Sequence, residues 1–248
     1  MITILESVKN LIRKNEKLVD FYRYLIFLGK LFSHDLFNFK KLFLFLRVYP
    51  YTMVGYEKLD NVYKLVKVVE ANGIKGDFVE CGAWKGGCAA VMAVTARNRK
   101  TWMFDSFEGL PEPTERDGER AINWNKGEPK GRLIPINRCV ASYNDACKIV
   151  KKLKLNNVLI IKGWFQNTLP KVKINSISIL RLDGDWYEST KCSLNNLYDL
   201  VVSGGYVISD DYGCWQGDKE AFEEFLKDRN IKVDWVKIDS HGYYFKKP

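Results

Sequence analysis

The sequence has few of the residues that histidine- or cysteine-based sites require. Of its 248 residues only two are histidines, His34 and His241, and none of the six cysteines stands in a Cys-x-x-Cys pair. A histidine-rich zinc site is therefore excluded, and a structural zinc site lacks its usual spacing. Because a chain of this length buries a core without covalent cross-links, we expect reduced, buried thiols and a cytoplasmic location.

Long hydrophobic runs are missing as well. The two most apolar segments, residues 24–29 and 42–46, are bounded by charge and fall well short of the ~20 residues that a membrane span needs. Charged residues also interrupt the N-terminal stretch where the apolar core of a signal peptide would lie. With 46% hydrophobic and 28% charged residues, the composition is that of a globular protein.

The net charge of +9 is concentrated at one end of the chain. Residues 1–50 hold nine basic and four acidic residues, whereas the other 198 hold 30 basic and 26 acidic ones. The body is thus only mildly basic, which gives no support for nucleic-acid binding. Residues 1–50 have helical periodicity and predict a helical appendage that packs on the body or on a second subunit, as in a homo-oligomer. The alternative interpretation is a basic amphipathic surface that binds a membrane or an acidic partner.

From residue 57 onward, short apolar strands alternate with helices. The predicted strands span residues 77–81, 101–105, 158–161, 178–183, 206–210, 233–238 and 243–246. This alternation predicts an α/β domain over residues 51–248 with a doubly wound, mostly parallel sheet. The turn at residues 240–242 predicts a C-terminal hairpin and hence an antiparallel last strand. Ligands of such sheets bind outside the carboxyl ends of the strands.

The first of these strands leads into a glycine-rich turn. Glu80 comes just before a turn that contains Gly82 and Gly86, and Asp105 ends the next strand. The glycine spacing departs from G-x-G-x-x-G, and the charge of Glu80 would repel a phosphate. An acid in the place of Asp105 can accept hydrogen bonds from both hydroxyls of a ribose. These features predict S-adenosylmethionine, an adenosine cofactor with a cationic tail; a turn whose glycines serve packing alone is the alternative.

Acidic residues also follow two later strands. Asp183 follows one, and the pair Asp210 and Asp211 follows the next. If these strands are neighbours, the three carboxylates converge and select a hard cation such as Mg²⁺, Mn²⁺ or Ca²⁺. Like charges this close repel one another unless a cation neutralises them. Helix capping by one or two of the acids is the alternative.

Between these two regions lies a long segment without clear periodicity. Residues 106–137 hold four of the seven prolines and many charges. Long irregular segments of compact domains tend to be lids or disordered. The segment directly follows Asp105, a residue of the predicted cofactor site, and this position favours a lid over that site.

Several motifs occur together, in order, within residues 51–248. They are TMVG at 52–55, GDFVECGAWKGG at 76–87, DSFEGLP at 105–111, KGWFQNTLP at 162–170, DGDWYEST at 183–190 and GGY to DDY at 204–212. Together they resemble the macrocin O-methyltransferase family of Mg²⁺- and S-adenosylmethionine-dependent sugar O-methyltransferases. The chain departs mildly from the family at Cys81, Ala83 and Lys85, where Thr, Val and Arg are usual, and residues 1–50 lie largely outside the resemblance.

The resemblance implies a class I methyltransferase fold and a set of site residues. The implied metal ligands are Asp183, Asp210 and Asp211. The expected cofactor-binding residues are Glu80, Gly82, Gly86, Asp105, Ser106, Gly163, Trp164, Phe165 and Asp183. Asp185 is the candidate general base by position, and His241 in the hairpin turn is an alternative base or substrate contact. Trp164, Trp186 and Trp215 form either a sugar-binding wall or part of the core.

The leading functional prediction is a metal-dependent O-methyltransferase that uses Mg²⁺ or Mn²⁺. Its substrate would be a sugar hydroxyl of a glycoside, a polysaccharide precursor or a nucleotide sugar, which makes an anionic acceptor possible. A catechol-type O-methyltransferase would use the same metal chemistry on an aromatic vicinal diol. A non-catalytic S-adenosylmethionine-binding protein is the alternative from another class.

Overall fold

A computed structural model describes residues 16–126 and 139–248, and all structural statements refer to these residues. The helices are α1 (Glu16–Asp35), α2 (Phe39–Val48), α3 (Tyr56–Ala71), α4 (Gly87–Thr95), α5 (Gly118–Asn125), α6 (Tyr143–Lys152), α7 (Phe165–Thr168), α8 (Tyr187–Leu197) and α9 (Gln216–Asp228). The strands are β1 (Asp77–Cys81), β2 (Thr101–Asp105), β3 (Val158–Lys162), β4 (Ile177–Leu182), β5 (Val201–Ser209), β6 (Val236–Lys237) and β7 (Tyr243–Lys246).

The strands form one sheet in the order β3-β2-β1-β4-β5-β7-β6. The pairs among β1 to β5 are parallel, whereas β7 is antiparallel to both β5 and β6. The predicted mostly parallel sheet with an antiparallel C-terminal strand is therefore confirmed. Because the order reverses between β1 and β4, the helices that follow these two strands, α4 and α8, pack on opposite faces of the sheet and leave a crevice at its carboxyl edge.

One predicted helix boundary is wrong. The pattern predicts a helix over residues 190–202, but α8 ends at Leu197 and β5 already begins at Val201. Val201 pairs with Ile177 of β4 and is buried. β-branched side chains fit a pleated surface, and the sheet contact outweighs the helical periodicity at this point.

Helices cover both faces of the sheet. One hydrophobic cluster joins α3 and α4 to one face, and a second joins α8 and α9 to the other. The first cluster includes Phe27 and Leu31 of α1 and Phe45 and Val48 of α2, all buried. The described N-terminal helices thus share the core of the body.

A buried polar network fastens these helices to α3. Lys41 of α2 lies 2.6 Å from the carboxylates of both Asp35 and Asp60. The hydroxyl of Tyr56 donates to Asp35 at 2.6 Å. Since breaking a buried ion pair costs ~3–5 kcal/mol, this network holds α1 and α2 in one position on α3.

The described part of the predicted lid is ordered into turns and a helix. Trp124 of α5 packs edge-on against Trp186 and Trp215, with ring centroids 6.0 Å apart in both pairs. Residues 109–112, together with Thr114 and Asp117, line the main cavity. Residues 127–138 of this segment lie outside the described residues. Within the described residues, no helix has both the length and the apolarity needed to cross a membrane.

Candidate active site

A cavity of about 450 Å³ opens at the carboxyl ends of β1, β2 and β4. Seven of the residues predicted for the site line it. They are Gly82, Asp105, Ser106, Trp164, Phe165, Asp183 and Asp185. The sheet order thus brings together residues that lie up to about a hundred positions apart in the chain. The lining does not include Glu80, Gly86, Gly163, Asp210, Asp211 or His241.

The turn after β1 depends on glycine because another strand end passes very close. Gly82 has φ +90°, and a Cβ atom there would lie 1.8 Å from the carbonyl oxygen of Asp183. No side chain fits at this distance, and L-residues rarely adopt this backbone conformation. Gly82 therefore lets the loops after β1 and β4 meet, which places Asp183 beside the turn.

Asp105 is held as a hydrogen-bond acceptor at the end of β2. The backbone N–H of Trp84 donates to its Oδ2 and that of Phe107 to its Oδ1, both at 2.7 Å. Each carboxylate oxygen keeps further acceptor capacity, as two ribose hydroxyls require. Burial raises the pKa of Asp105 to about 6, although the two backbone hydrogen bonds oppose this.

Other predicted cofactor residues shape the cavity in two ways. Trp164 and Phe165 supply aromatic wall, and the Ser106 hydroxyl accepts from the Glu108 N–H at 3.1 Å. Gly86, in the turn after β1, and Gly163, directly after β3, have positive φ and do not line the cavity. They act through the backbone conformation that the turns need.

Glu80 lies beneath the turn, away from the cavity. Its side chain is buried, accepts the N–H of Ala89 at 2.8 Å and forms an ion pair with Arg181. Burial raises the pKa of Glu80 to about 7, while the guanidinium of Arg181 opposes this. Glu80 thus lies at the start of α4, where a negative charge is favourable.

Three carboxylates come together at the ends of β4 and β5. Oxygens of Asp183, Asp185 and Asp211 all lie within 4.8 Å of one another. The Oδ2 atom of Asp211 is buried and has no hydrogen-bond partner. Burial and the neighbouring carboxylates raise the pKa of Asp185 and of Asp211 well above the ordinary value. These charges are close, desolvated and incompletely compensated.

Asp210 differs in its surroundings from the other two predicted metal ligands, Asp183 and Asp211. It is buried and forms ion pairs with Lys58 of α3 and Arg181 of β4. Burial alone would raise the pKa of Asp210, but Arg181 and Lys58 hold it below its ordinary value. The geometry thus groups Asp185, in place of Asp210, with Asp183 and Asp211.

The residues at this cluster fit a hard divalent cation. The donors are all carboxylate oxygens, which Mg²⁺ and Mn²⁺ prefer, and Asp211 Oδ2 is a buried acceptor without a partner. A cation here would offset the mutual repulsion that raises the pKa values.

The two candidate bases lie in different places. Asp185 lines the cavity, and the indole N–H of Trp215 donates to its Oδ1 at 2.8 Å. His241 lies in the hairpin turn, where its N–H donates to Asp239, and it does not line the cavity. Burial and the nearby charges of Lys58 and Arg120 lower the pKa of His241.

The tryptophans divide between wall and core. Trp164 lines the cavity. Trp186 and Trp215 are buried and pack on each other with ring centroids 5.1 Å apart. Of the two alternatives, the structure places Trp215 in the core, where its indole N–H donates to Asp185. Trp186 lines the cavity from within this buried cluster.

Sequence reasoning missed the cations that hold the acids in place. Arg181 is a charged residue in the middle of the buried strand β4, and this unusual position was the available signal. Lys58 donates to the backbone oxygen of Asp210 at 2.9 Å across 152 residues of sequence. No local pattern connects α3 with the end of β5, so this contact could not be predicted.

A sheet of this order, with an acid after β2 and a glycine turn after β1, defines a class I methyltransferase. The sequence model of the macrocin-O-methyltransferase (TylF) family matches residues 47–247. The chain belongs to this family of O-methyltransferases. The predicted family, fold and enzyme class are thus confirmed, and membership supports S-adenosylmethionine as the methyl donor.

Individual relatives agree with this assignment. The demethyldecarbamoylnovobiocin O-methyltransferase of Streptomyces niveus is 36% identical over 205 residues, which cover 79% of this chain and 76% of the relative. The mycinamicin III 3''-O-methyltransferase of Micromonospora griseorubida is 29% identical over 207 residues, which cover 79% of this chain and 78% of the relative. Among solved structures, the O-methyltransferase NovP has a TM-score of 0.68 at 33% identity, covering 79% of this chain and 82% of that one.

Proposed function

We propose that the chain transfers the methyl group of S-adenosylmethionine to a sugar hydroxyl, with the help of a divalent cation. The acceptor would be a glycoside, a polysaccharide precursor or a nucleotide sugar. One juxtaposition carries the proposal: a cavity with an acceptor for ribose hydroxyls at Asp105 adjoins the carboxylates of Asp183, Asp185 and Asp211. The names of the relatives, which include a mycinamicin 3''-O-methyltransferase, support a sugar acceptor.

Asp183 and Asp211 are the proposed ligands of the cation, with Asp185 beside them. A bound divalent cation supplies Lewis acidity that lowers the pKa of a coordinated hydroxyl. Asp210, predicted from the sequence as a ligand, has a positioning role in this proposal. Its ion pairs with Lys58 and Arg181 fix the end of β5, where Asp211 follows. Arg181 also lies 2.9 Å from the carboxylate of Asp183.

Asp185 is the proposed general base. Trp215 fixes one of its oxygens, which leaves the other to accept the proton of the sugar hydroxyl. Asp185 has φ +59°, a left-handed conformation that costs a non-glycine residue ~1–2 kcal/mol. Such strain is typical of residues that a functional site holds in a required position.

The remaining residues position and enclose the reactants. The methyl donor supplies an electrophilic sulfonium methyl group, so the protein contributes mainly alignment. Asp105 fixes the ribose, and the aromatic side chains of Trp164 and Phe165 exclude water from that part of the cavity.

The test is methyl transfer by the full chain to a panel of glycosides, nucleotide sugars and catechols. We expect transfer to a sugar hydroxyl that a chelator abolishes and that added Mg²⁺ or Mn²⁺ restores. Transfer to catechols alone would favour the catechol-type alternative. Absence of S-adenosylhomocysteine binding in calorimetry would refute the proposal as a whole, and chelator-resistant turnover would refute its metal part.

A homo-oligomer through the N-terminal helices and a cytoplasmic location remain predictions. Large apolar side chains on α1 and around the α1–α2 turn are exposed, most of all Phe37, at 89%, which supports a contact of that surface with another molecule. Light scattering of the full chain measures the oligomeric state.

A further inference from the structure

A second cavity, of about 370 Å³, lies between α1, the start of α3 and the turn after β1. It shares Met53 and Trp84 with the main cavity, so the two are neighbours across a common wall. Its lining includes the aromatic residues Phe27, Tyr49, Tyr56 and Trp84.

Three basic residues line this cavity, and two of them, Arg23 and Lys85, have no acidic partner among the described residues. Arg23 donates to the carbonyl oxygen of Met53 at 2.5 Å, and the ammonium of Lys85 lies 4.2 Å from the ring centroid of Trp84. Among residues 16–126 and 139–248, no carboxylate lies within ion-pair distance of either cation. The other charged groups are Lys30 and Glu57, which pair with each other, and the exposed Asp20. The cavity thus has an excess of positive charge.

Contacts within the protein hold Arg23 in position before any anion binds. The Lys41 network holds α1 and α2 on α3, and the bond from Arg23 to Met53 ties α1 to the segment that separates the two cavities. A preorganised cation loses little conformational entropy when it binds an anion, and the planar guanidinium suits phosphate oxygens. A half-buried site also strengthens the attraction relative to bulk water.

Two of the three basic residues that line this cavity lie outside the family match. Arg23 and Lys30 precede residue 47, where the match to the macrocin-O-methyltransferase family begins. The match covers the turn that carries Lys85. α1 therefore completes a cavity beside the cleft that the family match covers.

We propose that this second cavity binds a phosphate or diphosphate group of the sugar acceptor through Arg23 and Lys85. The acceptor would then be a sugar phosphate or a nucleotide- or lipid-linked sugar whose hydroxyl reaches the acids of the main cavity. This inference rests on the proposed function and narrows its substrate class. The other anion that could reach the same cations is the carboxylate of the cofactor, because Lys85 belongs to the turn after β1.

Calorimetry with inorganic pyrophosphate and, separately, with S-adenosylhomocysteine tests the inference on the full chain in metal-free buffer. We expect Arg23→Gln and Lys85→Gln each to weaken pyrophosphate binding about tenfold, because each removes a charge-assisted hydrogen bond or contact. S-adenosylhomocysteine binding stays within about twofold in both variants. Lys40→Gln, which removes an exposed lysine outside the cavity, is the matched control and changes neither.

Each other outcome overturns the inference in a recognisable way. If the variants weaken S-adenosylhomocysteine binding, the cations hold the cofactor. If pyrophosphate does not bind, or binds equally well to both variants, there is no phosphate site here, while intact S-adenosylhomocysteine binding leaves the proposed function standing. If neither ligand binds, the proposed function fails as well. Lys85→Gln changes a half-buried surface residue, so it stays informative even if Arg23→Gln does not fold.

Discussion

The cleft has an acidic end and a basic end, and the two are built differently. The acidic end consists of short carboxylates that follow the strands β4 and β5, and burial raises the pKa values of Asp185 and Asp211. The basic end consists of long side chains, Arg23 from α1 and Lys85 from a turn. Short side chains next to strand ends give the precise placement that chemistry needs, whereas long side chains on a helix and a turn suit the recognition of a substrate.

The two ends also compensate charge differently. Arg181 and Lys58 are buried among the acids and pair with Asp210, so part of the acidic charge is balanced within the protein. At the basic end, Lys30 pairs with Glu57, but Arg23 and Lys85 have no carboxylate partner among the described residues. The acidic end therefore keeps uncompensated negative charge, which a cation would neutralise. The basic end keeps uncompensated positive charge, which an anionic acceptor would neutralise.

The largest effect should come from Asp185→Asn. The amide cannot accept the proton, and we expect turnover to fall about 1,000-fold, within the range of general base catalysis. S-adenosylhomocysteine binding, measured by calorimetry, should stay within about twofold. The exposed Asp234→Asn is the control and should keep full turnover. Turnover within a few-fold of the unmodified chain would exclude Asp185 as the base.

A smaller effect should separate the two adjacent acids of the acidic end. Asp211→Asn should weaken Mn²⁺ binding by about 100-fold, because it removes a ligand, with little change in stability. Asp210→Asn should instead cost ~3–5 kcal/mol of unfolding free energy, because Lys58 and Arg181 lose a partner. Mn²⁺ titration and denaturant unfolding measure the two quantities. If Asp210→Asn weakens Mn²⁺ binding as much as Asp211→Asn while its stability is unchanged, Asp210 is the ligand.

The smallest expected effect concerns pH at the ribose site. The pKa of Asp105 is raised to about 6 by burial, so acidification to pH 5 leaves only about one carboxylate in ten ionised. The ionised form accepts ribose hydroxyls best, and the affinity for S-adenosylhomocysteine should therefore fall about tenfold from pH 7 to pH 5. Calorimetry at both pH values measures this.

Asp105→Asn serves as the control for this pH dependence. It should bind S-adenosylhomocysteine more weakly at pH 7 and lose most of the change between the two pH values. An equally steep decrease in the variant would assign the titration to another group, such as Glu80, whose pKa is about 7.

Most of the fold could be predicted because its signals are local. Continuous apolar runs end at acids or glycines, and β1 and β2 have the predicted bounds. The error at Val201 arose because strand pairing with Ile177 is a long-range effect. Of the site, the positions at strand ends could be predicted from the sheet, whereas the partners of each acid could not. Asp210 and Asp211 are adjacent in sequence, yet one meets two cations and the other has a buried oxygen without a partner.

The succession of strands and helices along the chain, the family and the acids at the carboxyl edge follow from the sequence alone, because they depend on periodicity and on motifs within short segments. Three features of the site appear only in the folded molecule: Asp185 joins Asp183 and Asp211, Glu80 turns away from the cavity, and α1 brings Arg23 beside the turn after β1. These outcomes depend on contacts between segments far apart in the chain, where burial and charge pairing determine the position of each side chain.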